Sequence, residues 1–412
     1  MNCRVDLPRL LVIVVLVLWV VDISLAQAGP GGGNRVVFVT SVTGTGDLGS
    51  WPDAGMATGL AAGDAICQAR ATAAGLANPS NFVAWISDMN DDAYCRVHNF
   101  SGTKAANCGQ LELPAAAGPW VRTDGFPFSE VIDQLLGPVG VVYSALQFDE
   151  FGNLAPTFSR SFTATSFNGE LNVSGNNTDC GQWMLDTLVL VAHGAVEKTT
   201  VSWTAFGTGV CSNMEHLICM ETLPGPSLPA FAETGRLAFV TSTSGSGMLS
   251  TWTDAGGNAG IAAGDTICQT QAEAEGLENP SSFKAWLSDD STNAIDRFDN
   301  SGRWVRLDGV TVAESKADLI DGLLFSPINV AVDGTYLSNY GAWTGTFSFG
   351  TTNGVDCQNW MSADIGFSGT HGSTNDVRSW TGPGEATCNQ TFARLYCLSD
   401  TPSSKIFSDG FE

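Results

Sequence analysis

Arg35–Thr40, RVVFVT, and Ala61–Ser87, AAGDAICQARATAAGLANPSNFVAWIS, recur as Arg236–Thr241, RLAFVT, and Ala262–Ser288, AAGDTICQTQAEAEGLENPSSFKAWLS. Each copy runs on to a late C-x-x-W, CGQW from Cys180 and CQNW from Cys357, and to a closing cysteine pair. The 412-residue chain therefore holds one module twice, and its function is one that a pair of modules performs. Val36–Val39 and Leu237–Val240 are apolar runs bounded by Gly, Ser and Thr, the pattern of buried strands. A helix follows: Asp64 and Asp265 lie near its start, where the dipole is positive, and Gly75 and Gly276 stand where a left-handed C-cap is wanted. Cys67, Ala71 and Ala74 share one helix face, which turns the early cysteine inward. Phe283, Ala285 and Leu287 then alternate with Lys284, Trp286 and Ser288, as in a strand over a core.

Working outward, Arg4 and Arg9 precede the apolar run Leu10–Val21 and the small-residue Ala26-Gln27-Ala28, so residues 1–28 read as a secretory signal. That run is shorter than the roughly 20 residues a spanning helix needs, and no later segment is longer. Residues 29–34 form a Gly-rich leader, 35–222 module one, 223–235 a linker stiffened by Pro224, Pro226 and Pro229, 236–400 module two, and 401–412 a polar tail ending in DGFE. The expected location is outside the cytoplasm. A net charge of −24 repels phosphate backbones and anionic polymers, so nucleic acid is excluded as a partner class. Hydrophobic residues at 43% are enough for cores, which excludes a disordered chain.

Ten cysteines remain after Cys3 leaves with the signal, an even number that argues for disulfides in an exported chain. The offset between copies is 201 at Cys67/Cys268 and Trp85/Trp286, falls to 184 at Trp120/Trp304 and to 177 at Cys180/Cys357, and stays there through Trp203/Trp380 and Cys211/Cys388. Module one thus carries an insertion between Trp85 and Trp120. It contains Cys95 and Cys108, the two cysteines without counterparts, which should pair with each other.

GDAICQARATAAGL with FVAWISD resembles the corresponding stretch of endostatin, the C-terminal domain of collagen XVIII, and CGQW, CQNW, CSNMEHLIC and CNQTFARLYC resemble its end. The closer resemblance is to the leptospiral endostatin-like family of bacterial surface proteins. In module two it extends through FKAWLSD, WVRLDG, ADLIDG, SPINV, WTGT, CQNW and RLYC; module one keeps both ends but departs in the middle, where FPFSEVIDQLLGPVG replaces ADLIDGLLFSPINV. The resemblance implies an α+β, C-type-lectin-like fold in each module with nested disulfides, Cys67–Cys219 around Cys180–Cys211 and Cys268–Cys397 around Cys357–Cys388. It also implies non-catalytic binding of an extracellular protein or glycan. Endostatin's basic heparin surface and its N-terminal histidine zinc site have no counterparts here.

Among candidate chemical groups, Gly44-Thr45-Gly46-Asp47-Leu48-Gly49 matches the G-x-G-x-x-G of dinucleotide loops, but the second copy, GSGMLS, loses the third glycine, so both read as turns. His98, His193, His216 and His371 show no metal spacing, and none repeats between copies. Asp88, Asp91 and Asp92, and Asp289, Asp290, Asp296 and Asp299, cluster in the loop after the second strand. Such oxygens could hold calcium, with Asp289, Asp296 and Asp299 as the candidate ligands and no other cofactor expected. The repeated tryptophans are core candidates. Divergence between copies points to Asp289–Gly302 and Leu323–Trp343 as a ligand surface, with Asp296, Asp299 and Trp343 as its first residues. The rival readings are a hydrolase using Asp124 and Asp308, each beside an arginine (Arg122, Arg306) that would pair with it, and an envelope protein with no specific ligand. The N-x-[ST] sites Asn99, Asn172, Asn176 and Asn389 would stand unmodified in a bacterial source.

Overall fold

The computed structural model describes residues 35–404 apart from 177, 223–224, 229–230, 233, 300–301 and 383. The signal-like segment 1–28, the leader 29–34 and the tail beyond 404 lie outside the described residues. Among the described residues no helix is long and apolar enough to cross a membrane.

Two similar eight-stranded sheets make the chain a tandem of two α+β domains. Module one contributes β1 (Arg35–Val39), β2 (Phe82–Ala84), β3 (Trp120–Arg122), β4 (Pro127–Ser129), β5 (Arg160–Phe162), β6 (Leu190–Ala195), β7 (Gly207–Val210) and β8 (His216–Glu221). Module two contributes β9 (Arg236–Val240), β10 (Phe283–Ala285), β11 (Trp304–Arg306), β12 (Thr311–Ala313), β13 (Gly341–Trp343), β14 (Ser368–Ser373), β15 (Gly384–Thr387) and β16 (Arg394–Ser399). The strand order is β4-β3-β1-β8-β5-β6-β7, with β2 also on β8, and its exact counterpart recurs in module two. Most pairs are antiparallel; β1 with β3 and β5 with β8 are parallel, as are β9 with β11 and β13 with β16.

β1 and β9 are buried at all five positions because both faces of the sheet are covered. Leu237 and Phe239 enter a core with Ile267 and Ala272 of the long helix α2 (Gly260–Ala274), while Ala238 and Val240 enter a second core with Trp286, Trp304 and Trp380. Module one divides Phe38 from Val37 and Val39 in the same way, with α1 (Gly59–Ala73) on the Phe38 side. The polar-out alternation expected around Trp286 is therefore absent: Trp286 and Ser288 are fully buried on the second face.

The repeated helix feature also reads differently in three dimensions. Gly75 and Gly276 do follow their helices at φ +68°, the left-handed C-cap. Asp64 and Asp265, however, lie within the helices and reach sideways. Asp64 accepts from the Ala84 backbone N–H at 2.9 Å and pairs with Arg96; Asp265 accepts from Ala285 at 2.9 Å and pairs with Arg297 at 2.6 Å. They lock helix to strand instead of complementing a dipole. Five disulfides staple the modules: Cys67–Cys219, Cys95–Cys108 and Cys180–Cys211 in the first, Cys268–Cys397 and Cys357–Cys388 in the second. The longest two bind α1 to β8 and α2 to β16.

The modules meet about a near-twofold axis. Ser144 and Ser326, equivalent by an offset of 182, face each other with Oγ–Oγ 2.7 Å. Arg122 donates to the Phe325 carbonyl at 3.4 Å, and reciprocally Arg306 donates to the Tyr143 carbonyl at 3.3 Å. Lys198 bridges to Asp376 with a 2.6 Å ion pair, the Thr199 N–H donates to the Asn375 carbonyl at 2.9 Å, and the Val377 N–H donates to Glu197 at 3.2 Å. Ala145 of module one packs into the second core of module two, and Phe231 of the linker lies edge-on against Tyr143.

Candidate functional site

The G-x-G turns after β1 and β9 sit where they do for packing reasons. A Cβ on Gly245 would lie 2.4 Å from the Trp252 indole, and one on Gly247 would lie 2.2 Å from the Cys357 Sγ; Gly44 and Gly46 are equally close to Trp51 and Cys180. Only glycine lets the backbone lie against the indole on one side and the disulfide on the other. The disulfide is presented by an unusual support: Cys357, Gln358, Asn359 and Trp360 all have positive φ, as do Cys180, Gly181, Gln182 and Trp183. This left-handed turn is pinned by Asp356, whose Oδ1 accepts from the Asn359 N–H at 3.0 Å, and by Trp360, whose indole donates to the Ser288 carbonyl at 2.8 Å. Burial, with Asp290 and Asp289 nearby, pushes the Asp356 carboxyl above its ordinary range, and among the described residues its second oxygen is buried without a hydrogen-bond partner.

On this support lies a cleft of about 340 Å³ in module two, lined by Thr243, Ser244, Gly245, Ser246, Thr251, Trp252, Thr253 and Thr391. Trp252 is 8% exposed and fixed by an indole bond to the Ser246 carbonyl at 2.9 Å, so it forms the floor. Thr243, Ser244, Thr251, Thr253 and Thr391 are exposed around it. Beneath Thr243 the buried Gln271 donates to the Thr243 Oγ1 and to Asp254, each at 2.8 Å, and accepts from the Ser242 N–H at 2.9 Å. No charged side chain lines the cleft.

Module one has the same floor and a different rim. By the offset of 201, Trp51 matches Trp252, but Val42 and Pro52 stand where module two has Thr243 and Thr253; in the closing loop Thr391 and Phe392 take the place of the single Met214, because Gly44 bonds Glu215 where Gly245 bonds Ala393. Arg70 replaces Gln271 and is paired with Glu150 at 2.6 Å and Asp53 at 3.4 Å. Met214 is 63% exposed.

The residues singled out from sequence fall elsewhere. Asp289 accepts from the Ser291 N–H at 2.9 Å, Asp296 accepts from the Asn293 amide at 2.8 Å, and the Asp299 N–H donates to Asp400 at 3.2 Å. In module one Asp92 accepts from Lys104 and Leu171 backbone N–H groups, both at 2.7 Å. The carboxylates of Asp289, Asp296 and Asp92 act as turn and loop anchors, and among the described residues no group of three or more His, Cys, Asp or Glu side chains is placed to hold a metal ion. Trp343, expected on a ligand surface, is fully buried with its indole donating to the Gly245 carbonyl at 2.9 Å. It is a wall beneath the cleft loop, not a contact residue. Part of the Leu323–Trp343 stretch is likewise covered, since Phe325 and Ser326 face module one. Asp124 and Asp308 each pair with the neighbouring arginine at 2.6 Å, and Arg122 and Arg306 are almost wholly buried. The cleft residues were missed because Ser and Thr in a Gly-rich loop read as turn formers; the signal lay in the replacement of Thr243 and Thr253 in the other copy. No protein-family model matches the chain, and no curated protein matches it.

Proposed function

We propose that the chain is a secreted, non-catalytic binding protein whose two C-type-lectin-like, endostatin-like modules recognise an extracellular macromolecule, a protein or a glycan. The observation that carries this reading is the open cleft of module two, a buried indole under a ring of exposed hydroxyls on a scaffold stapled by disulfides. Rigid support under variable loops is the usual arrangement of a recognition site. Export is supported by the secretory pattern of residues 1–28 and by five disulfides, which persist in oxidising compartments. A non-catalytic role is supported by Asp124 and Asp308, the first carboxylates a hydrolase would use, being held in arginine pairs. Calcium-independent binding is the accompanying expectation, because the loop carboxylates already accept hydrogen bonds within the protein.

The test is saturable binding of the full chain to matrix-protein and glycan arrays, with calcium and with a chelator. Saturable capture unaffected by chelation is expected. Absence of saturable capture on both arrays, or release of cleaved glycan, overturns the reading, and loss of capture on chelation overturns the calcium-independent part.

A further inference from the structure

We propose that the module-two cleft is a site for a neutral oligosaccharide, that Thr243 and Thr253 determine this specificity, and that the equivalent surface of module one does not share it. The inference rests on the reading of the chain as a binding protein and assigns the ligand class of one site. Its first ground is chemical: every polar side chain in the lining is a hydroxyl. A hydroxyl both donates and accepts, so such a rim matches other hydroxyls and offers no counter-charge to an ion. The acidic character of the chain further disfavours anionic ligands.

The second ground is availability. Thr251 donates its hydroxyl to the Met248 carbonyl, but among the described residues the hydroxyls of Ser244, Ser246, Thr253 and Thr391 make no hydrogen bond. Thr243 accepts from Gln271, and its own hydroxyl proton has no acceptor among the described residues. The third ground is size and shape. A volume of about 340 Å³ lies at the lower end of the roughly 300–1,000 Å³ of small-molecule sites, and the indole floor supplies the apolar surface on which a pyranose face can rest.

The fourth ground is internal comparison. Both modules keep the indole floor and the glycine that lies against it, so the cleft backbone is shared. Thr43, Thr45 and Ser50 keep hydroxyls where module two has Ser244, Ser246 and Thr251, but two positions exchange a hydroxyl for an apolar side chain, Thr243 for Val42 and Thr253 for Pro52, and the amide beneath exchanges for an arginine held by two carboxylates. The module-one rim thereby loses two hydroxyls beside the indole and lies above an ion pair.

The experiment uses the full chain titrated with maltotriose, cellotriose, mannotriose and chitotriose, followed by calorimetry and saturation-transfer NMR, with a sialylated trisaccharide as the anionic comparator. At least one neutral trisaccharide should bind with a stoichiometry of one per chain. The variant T243V/T253P, which carries the residues module one has at the same backbone positions, should lose at least about tenfold in affinity while melting within a few degrees of the parent. The reverse variant, V42T/P52T, should raise the stoichiometry to two. Equal binding by the first variant, a stoichiometry of two in the parent, or tighter binding of the sialylated sugar overturns the inference. If no neutral trisaccharide binds while the chain still captures a matrix protein saturably, this inference falls and the reading of the chain as a binding protein stands. Absence of both sinks the two together.

Discussion

Single residues in this chain are often held in environments that oppose their natural state, and their neighbours explain why. Glu197 sits in the module interface, where burial raises its carboxyl pKa, aided by the charge of Asp376 and opposed by the Phe158 N–H and by Arg160 and Lys198. A carboxylate with a raised folded-state pKa costs stability above that value, and the cost disappears as pH falls through the folded pKa toward the unfolded one near 4.5. Glu197→Gln keeps an acceptor for the Phe158 N–H, at 2.8 Å in the parent. The variant should therefore be more stable than the parent at about pH 8 and indistinguishable from it near about pH 4, read from urea midpoints across pH. A variant that is less stable at high pH would show that the charge is needed for the pairs with Arg160 and Lys198. The C-x-x-W turn gives a second residue-scale case. Gln358 lies at φ +58° where module one has Gly181, and a side chain in the left-handed region costs about 1–2 kcal/mol. Gln358→Gly should stabilise module two by up to about 1 kcal/mol once glycine's own entropy is counted. Gly181→Gln should destabilise module one, because a Cβ there comes within 2.6 Å of the Leu185 side chain.

At the level of elements, the helix, its adjoining strand and the last strand form the unit that both modules preserve, and one disulfide in each spans it. Cys268–Cys397 closes a separation of 129 residues and Cys357–Cys388 one of 31. In the chain-entropy model the first is worth about 5 kcal/mol and the second about 4. Paired substitution of Cys268 and Cys397 by alanine should thus lower the urea midpoint more than the same change at Cys357 and Cys388. The reverse order would mean that the left-handed turn, not the long loop, limits stability. These elements were legible in the sequence because apolar runs, the glycine caps at Gly75 and Gly276 and the repeated cysteines carry local signals. What covers them was not. Trp343 and Trp286 look amphipathic in a strand pattern, yet both are buried because loop segments close over each face of the sheet. Asp265 looks like a dipole partner until Arg297, 32 residues on, is brought beside it. The left-handed turn has a glycine signal only in module one, and the cleft hydroxyls have none beyond their replacement in the other copy.

For the whole molecule, the separation implied by a proline-bearing linker is replaced by a paired arrangement, and no sequence pattern could have announced it. Most of its contacts run through backbone carbonyls and N–H groups, which any residue supplies. Its geometry is nevertheless distinctive, since a twofold relation brings equivalent residues face to face at the axis, as in an isologous dimer. Ser144 and Ser326 are such a pair: both are fully buried with their Oγ atoms 2.7 Å apart, and the longer Cβ–S bonds of two cysteines in their place would bring the sulfurs toward each other to the roughly 2.05 Å of a disulfide. In the variant Ser144→Cys/Ser326→Cys, mild oxidation should form a crosslink within one chain. The oxidised protein should keep its monomeric mass on non-reducing gels, gain one disulfide by peptide mapping, and melt higher than its reduced form. Either single variant should yield no crosslinked dimer, because the facing residue belongs to the same chain and its partner surface is occupied. Crosslinks between chains in the double variant would instead assign the pairing to exchange of modules between two molecules. No crosslink at all would remove the axis, and with it the reason Lys198 and Asp376 form an ion pair across the boundary rather than within a module.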